Sequence, residues 1–333
     1  MIAEASVGPG LDWPMSGMID DVRPALAEAV AARRPAVLAT LYAVEGGGPR
    51  PVGTQMVFGE GVTAGFFSGG CVEGDVALHA GEVLASGAPQ RLVYGEGSPF
   101  ADLRLLCVAR IDILLERVTP DDPALTALLE RTRARRPAVW RTDGMRRACV
   151  RDDGCMAAGE VLKLRREPFG LARRYEPTRR LIVVGGDPTA LAIASLGAQS
   201  GMETALLRPK GPEGPPPISG VAYHREAAAV ALDAIGLDPW TAVAVATHEL
   251  EADEDALVAA LPSPAAYVGV LGARRRIPER LARLRARGVG DNDLQRLRAP
   301  IGLSIGGRAP WPVAVSVIGE IMQQSFAEAT AHG

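Results

Sequence analysis

Seven residues hold more potential chemistry than any other stretch of this sequence. Ser68-Gly69-Gly70-Cys71-Val72-Glu73-Gly74 combines three glycines, a thiol and a carboxylate. Gly46-Gly47-Gly48-Pro49-Arg50-Pro51-Val52-Gly53 lies upstream. Downstream, Val76, Ala77, Ala80, Val83 and Leu84 recur at helical spacing. Cys71 is therefore expected where a Gly-rich loop enters a helix. Free N–H groups and the helix dipole at such a junction attract anions. The same field lowers a thiol's pKa and raises its thiolate fraction. Cys71 also sits between glycines and a charged residue, outside any apolar run, which favours a functional thiol over a small buried hydrophobe. Glu73 reads either as a first-turn helix charge or as a ligand contact. On their own, Arg50 reads as a surface residue and Cys107, within Leu105-Leu106-Cys107-Val108, as core.

A second set of polar residues is expected at strand ends in the other half of the chain. Thr247-His248-Glu249 and Gly272-Ala273-Arg274 each follow an apolar run, at the carboxyl ends where open α/β sheets bind ligands. His248 is either a site residue or a simple cap. Arg274-Arg275-Arg276 opens a helix with the charge sign that the helix dipole disfavours, and this favours an anionic partner. The turn Gly185-Gly186-Asp187-Pro188-Thr189-Ala190 departs from a dinucleotide fingerprint. Asp187 stands where the second glycine is required, and no acid follows the strand ending at Leu207. NAD(P) is therefore not expected.

These residues must be positioned by a soluble, well-packed chain. The 333 residues suffice for two domains, and 47% hydrophobic with 23% charged residues fits a globular protein. A net charge of −3 provides no field for nucleic acid or an acidic membrane. The four cysteines show no CxxC or His-rich spacing, so structural zinc is not expected, and Cys149 and Cys155 read as structural or incidental. No signal peptide or membrane-spanning run is read, and a reducing cytoplasm is the expected compartment.

In chain order, a helix is predicted over 19–33, with Asp20 or Asp21 as cap, then a buried strand from Ala36 to Tyr42. A hairpin follows from Gln55 to Phe67, then the Cys71 loop and a helix to about Ser86, with strands at 91–94 and 110–117. A helix over 121–136 and short strands around Asp143-Gly144 and Asp152-Asp153-Gly154 read as a sheet extension or bridging segment. Residues 165–180 read as an interdomain linker. Strands at 181–184, 204–207, 242–246 and 267–271, alternating with helices, predict a doubly wound parallel sheet, closed by a helix over 312–327. The expected domains are 18–118, 119–177 (bridging strands and linker) and 178–333.

Taken together, these motifs resemble the XdhC/CoxI family. The resemblance rests on Gly46–Gly53 with Arg50, on Met56, and on Gly69-Gly70-Cys71-Val72-Glu73-Gly74. In the second half it rests on Thr247-His248-Glu249 with Asp253, on Tyr267–Arg275, on Pro300-Ile301-Gly302-Leu303 and on Ala314-Val315-Ser316 through Glu320-Ile321. It implies an α/β protein: an N-terminal mixed α/β XdhC/CoxI domain plus a C-terminal Rossmann-like doubly wound parallel-sheet domain. It implies a molybdenum-cofactor chaperone that binds a molybdopterin-type cofactor and assists its sulfuration and insertion into an enzyme such as xanthine dehydrogenase. Arg50, Gly69, Gly70, Cys71, Glu73, Cys107, His248 and Arg274 would contact the cofactor, with Cys71 facing the molybdenum or a transferable sulfur. The implied partners are an apo molybdenum hydroxylase and a cysteine-desulfurase-type sulfur donor. A homodimer is expected, because the cofactor is larger than one shallow loop can shield. The family's CGG stands here as Cys107-Val108-Ala109, without the glycines. Two rival functions remain: a nicotinamide-dependent oxidoreductase, and an adaptor that docks an enzyme and a sulfur donor without holding cofactor.

Overall fold

The structure is a computed structural model describing residues 15–47, 50–70, 72–96, 109–157, 159–247 and 249–330, with side chains described to 324. The chain divides into two compact units, the first ending at Pro177 and the second beginning at Thr178.

The first unit is built on the apolar run after Pro35. Its elements are helix α1 (Arg23–Ala31), strands β1 (Ala36–Glu45), β2 (Gln55–Gly59) and β3 (Val62–Gly65), helix α2 (Glu73–Ser86), and strands β4 (Gln90–Gly95) and β5 (Arg110–Val118). Then come helix α3 (Pro123–Arg133) and strands β6 (Ala138–Thr142), β7 (Arg147–Arg151), β8 (Leu162–Arg165) and β9 (Gly170–Tyr175). An antiparallel five-stranded sheet has the order β3-β2-β1-β5-β4, which puts β1 at its centre. A central strand buried on both faces must be almost wholly apolar, and Ala36 to Tyr42 meets that demand except at Thr40, whose buried hydroxyl is hydrogen-bonded by Gln55. Helix α2 covers one face, where Val76, Ala80 and Val83 pack on Val37, Ala39, Leu41 and Ile113. On the other face α1, α3, Trp140 and Tyr175 pack on Ala36, Leu38 and Val57. Each fully buried Leu or Val in these layers contributes about 1.5–3 kcal/mol.

Two expectations fail here. Asp20 and Asp21 do not cap α1 as predicted, because its N-cap is Val22. Asp21 instead clamps the Arg23 guanidinium at 2.7 Å through both oxygens and accepts the Arg23 N–H. The linker read at 165–180 fails too, because β9 runs through it, while 119–177 as a whole extends the first unit. It adds a second sheet, ordered β7-β6-β9-β8, to the first unit's core. The arginines that suggested a solvated linker are held by the fold. Arg173 donates to the Gly53 carbonyl at 2.8 Å, and Arg174 pairs with Asp152 at 2.7 Å. The Tyr175 hydroxyl donates to Gln55, which in turn donates to Thr40, a buried polar chain linking the two sheets.

The second unit contains β10 (Arg180–Val184), α4 (Pro188–Gln199), β11 (Glu203–Leu207), β12 (Val221–His224), α5 (Ala228–Ile235), β13 (Thr241–Val245) and α6 (Leu250–Ala260). It continues with β14 (Tyr267–Val270), α7 (Ile277–Ala286), α8 (Asp291–Leu294), β15 (Leu297–Arg298) and α9 (Pro310–Thr330). All six strands are parallel, in the order β12-β11-β10-β13-β14-β15. This is the doubly wound order of a dinucleotide-binding fold, with its switch point between β10 and β13. Side chains alternate along β10: Leu181 and Val183 face α4 and α9, whereas Ile182 and Val184 face α5 and α6. The edge strands β12 and β15 escape the sequence reading because they are short and half-exposed, with no apolar run.

Glu116 is a buried carboxylate on β5 whose Oε1 accepts the Thr142 hydroxyl while Oε2 has no partner among the described residues. Burial pushes its pKa up to about 7, against the pull of the Thr142 hydroxyl and the Arg147 charge. The folded state therefore holds a proton that the unfolded chain releases above 4.5, so stability falls as pH rises from 4.5 through 7. Glu116→Gln is expected to remove that loss. In urea titrations, its stability relative to the parent should grow by about 3 kcal/mol between acidic pH and pH 8.

Candidate functional site at the glycine loop and the strand ends

The loop between β3 and α2 is organised by one side chain. Glu73, at the first helical position, is 4% exposed and folds back under the loop that precedes it. Its Oε1 accepts the backbone N–H groups of Phe67 at 2.9 Å and Ser68 at 2.6 Å. Its Oε2 accepts the Ser68 hydroxyl at 2.8 Å and the N–H groups of Gly70 at 3.0 Å and Val72 at 3.3 Å. Burial alone would raise its pKa, but the hydrogen bonds from Ser68 and Phe67 outweigh burial and hold it below the usual carboxylate range. The amides expected to be free for an anion are thus largely taken by the protein's own carboxylate. Glu73 is a buried positioning group, with neither oxygen left open toward solvent.

The glycines above it do different work. Gly69 and Gly70 have φ of +116° and +97°, a region in which a Cβ is strained. Among the described residues nothing lies within 4 Å of where either Cβ would stand, and both residues are exposed. Cys71 and Cys107 lie outside the described residues. Arg50 is half-buried and its guanidinium is paired with Asp20, so it is tied to the chain preceding α1. Cys149 is half-buried and free, and burial pushes its thiol up to about 11, while the free Cys155 is exposed beside Arg141. Among the described residues no cluster of three His, Cys, Asp or Glu could hold a metal ion, and no helix is long and apolar enough to cross a membrane.

In the second unit, the carboxyl end of β10 lies against that of β13. A Cβ on Gly185 would stand 2.2 Å from the Ala246 carbonyl oxygen, so only glycine fits. Asp187 is the N-cap of α4 and accepts the Ala190 N–H at 2.8 Å. Its carboxylate therefore occupies the helix start where a pyrophosphate would otherwise sit. The Arg208 side chain lies across Gly186, within 2.4 Å of where a Cβ would be. His248 lies outside the described residues. Arg274, in a short 3₁₀ turn with Arg275 and Arg276, is exposed, and none of the three has an ion-pair partner among the described residues.

Sequence reasoning missed the group that holds these strand ends together. Arg280, on α7, is 8% exposed. It donates to Asp253 at 2.7 Å and to the Leu271 carbonyl at 3.1 Å, and Asp253 accepts the Thr247 hydroxyl at 2.7 Å. The loops after β13 and β14 are tied through one buried ion pair. The only signal in the sequence is an arginine on the apolar side of a short helix. The motif pairs Pro300–Leu303 and Ala314–Glu320 also dock on each other. Gly302 donates its N–H to Glu320 at 2.7 Å, the Tyr267 hydroxyl donates to the same oxygen, and Leu303 donates its N–H to the Ser316 carbonyl. A Cβ on Gly302 would stand 2.4 Å from the Ser316 hydroxyl, which explains its glycine.

Comparison with known proteins places these features. Residues 29–95 match the model of the XdhC and CoxI family, and residues 181–321 match that of the XdhC Rossmann domain. Among curated proteins, the chain is 32% identical over 295 residues to the molybdenum cofactor insertion chaperone PaoD of Escherichia coli K12, covering 88% of this chain and 85% of that one. It is 26% identical to a probable xanthine dehydrogenase subunit of Bacillus subtilis 168, over 86% of this chain and 92% of the other. A crystal structure described as a xanthine dehydrogenase from Bacillus halodurans superposes with a TM-score of 0.72 at 25% identity, covering 92% and 96% of the two chains.

The Glu73 network makes a direct prediction. Glu73→Gln keeps the shape but turns two acceptors of several N–H groups into one acceptor and one donor. It should cost about 2–3 kcal/mol at neutral pH. Because the folded pKa is depressed, the carboxylate's contribution is present above 4.5 and lost as pH falls through the folded value. Urea unfolding should therefore show the gap between parent and variant closing on acidification; a gap independent of pH would refute the role given to the charge.

Proposed function

Because the chain belongs to the XdhC and CoxI family, we propose that it carries a molybdopterin-type molybdenum cofactor as cargo. In this reading it assists the sulfuration of that cofactor and its insertion into a molybdenum hydroxylase of the xanthine dehydrogenase type. It acts as a maturation factor and turns over no substrate. The observation that carries the reading is the match, over 88% of the chain, to a relative named as a molybdenum cofactor insertion chaperone.

The local chemistry supports it. A molybdenum cofactor is a large anion with a soft, sulfur-bound metal, for which a thiolate is the natural protein contact. Cys71 supplies that thiolate in this reading, and Cys107 is its second thiol. Gly69 and Gly70 present open, side-chain-free backbone immediately before position 71, the clearance that a bulky cargo needs. Glu73 acts beneath the cargo by fixing the loop, and does not touch it. Arg50, His248 and Arg274 are assigned to the anionic parts of the cargo. The reading gives NAD(P) no place: a dinucleotide would have to displace both the Asp187 carboxylate from the start of α4 and the Arg208 side chain from Gly186. The working state is proposed as a cytoplasmic homodimer that meets an apo molybdenum hydroxylase and a cysteine-desulfurase-type sulfur donor. The domain organisation proposed with it keeps residues 178–333 as the Rossmann-like half.

Gently purified protein should release a pterin, read as fluorescence after oxidation, and Cys71→Ser should deliver less sulfurated cofactor to the target enzyme. Protein that carries no pterin and takes up none when cofactor is added would sink the reading. Undiminished activation by Cys71→Ser would remove Cys71 from it.

A further inference from the structure

A cavity lies in the first unit, on the face of the five-stranded sheet opposite α2. The pairing of β1 with β5 slips between Leu41 and Ala43, so that Tyr42 is a bulged residue. A bulge breaks the alternation of a strand and re-aims a side chain. Leu41 and Val44 pack on the α2 side, whereas Tyr42 and Ala43, consecutive in sequence, both face the other way, toward Leu162 and Leu171. Tyr42 as a whole is 7% exposed, yet its hydroxyl is not closed off from solvent.

That hydroxyl faces a cavity of about 360 Å³ lined by Tyr42, Arg91, Arg110, Asp112, Arg166 and Phe169. The charges that act on it are those of the cavity wall. Burial and the Asp112 carboxylate raise its pKa, and Arg91, Arg110 and Arg166 lower it. Arg110 is held by both oxygens of Asp112, at 2.7 and 3.1 Å. Arg91 lies over the Phe169 ring at 4.8 Å, and Phe169 meets Tyr42 edge to face with centroids 5.5 Å apart. Three guanidinium groups against one carboxylate leave two positive charges, on a wall that also carries two aromatic rings. Arg91 and Arg166 have no ion-pair partner among the described residues.

We propose that this cavity binds a phosphate monoester carried on a small flat ring. The phosphoryl group is a dianion that arginine forks match in charge and geometry. The Tyr42 hydroxyl donates to one of its oxygens, and the ring lies against Phe169. The volume is at the lower end of small-molecule pockets and suits a ligand of that size. The site is separate from the glycine loop, since the sheet and the α2 core stand between Tyr42 and Glu73, and the proposal does not rest on the cargo assigned there.

The test is calorimetric titration of the full chain with phenyl phosphate, with inorganic phosphate and phenol as comparison probes. Saturable binding of phenyl phosphate at least tenfold tighter than either comparison is expected. Tyr42→Phe, which removes only the hydroxyl, should weaken it about fivefold, the effect of one hydrogen bond. Arg166→Met, at an exposed position that leaves the fold intact, should weaken it tenfold or more. No saturable binding at low-millimolar phenyl phosphate would overturn the proposal, as would equal affinity for inorganic phosphate or an unchanged affinity in both variants.

Discussion

A buried carboxylate in the first turn of α2 is the constraint on which the glycine loop depends. A charge removed from water must be met by hydrogen bonds, or its pKa rises until it neutralises. Glu73 is met by four backbone N–H groups and one hydroxyl, all from residues 67–72. Those contacts fold the loop around the charge, so the path of the chain into α2 is set by electrostatics as much as by packing. The consequence reaches the functional reading. The positive end of α2 is occupied from within, by the protein's own carboxylate.

The second unit repeats the device at its strand ends. Asp187 caps α4, Asp253 and Arg280 bridge the loops after β13 and β14, and Glu320 collects Gly302 and Tyr267. The removal of one partner from a buried pair such as Asp253–Arg280 typically costs 3–5 kcal/mol, because the other charge is left stranded. Of these acidic residues, Asp187 occupies the helix start where a Rossmann sheet would greet a phosphate.

Much of this was legible in the residues. The apolar run Ala36–Tyr42 announced a central strand, the 181–184, 204–207, 242–246 and 267–271 runs announced a parallel sheet, and the Gly69–Gly74 motif announced the loop and helix start. Periodicity reports such elements because their burial is continuous. The family likeness reached further, and motif by motif it located both halves. It did not tell a ligand contact from a support: Glu73 stands in the motif of Cys71, and Gly302, Asp253 and Glu320 in the motifs of the second half, yet the fold uses all four to hold loops.

The sequence by itself therefore determined the class of the fold, the family and the glycine loop that opens α2, because local pattern and spacing carry that information. Tertiary structure alone decided which charges are spoken for. Whether Glu73 or Asp187 faces a ligand, whether 119–177 is a bridge or a second sheet sharing the first core, and whether Tyr42 points with its strand neighbours or against them depend on contacts between residues far apart in the chain. A one-residue slip in strand pairing, invisible in composition or periodicity, turned Tyr42 toward a wall of arginines.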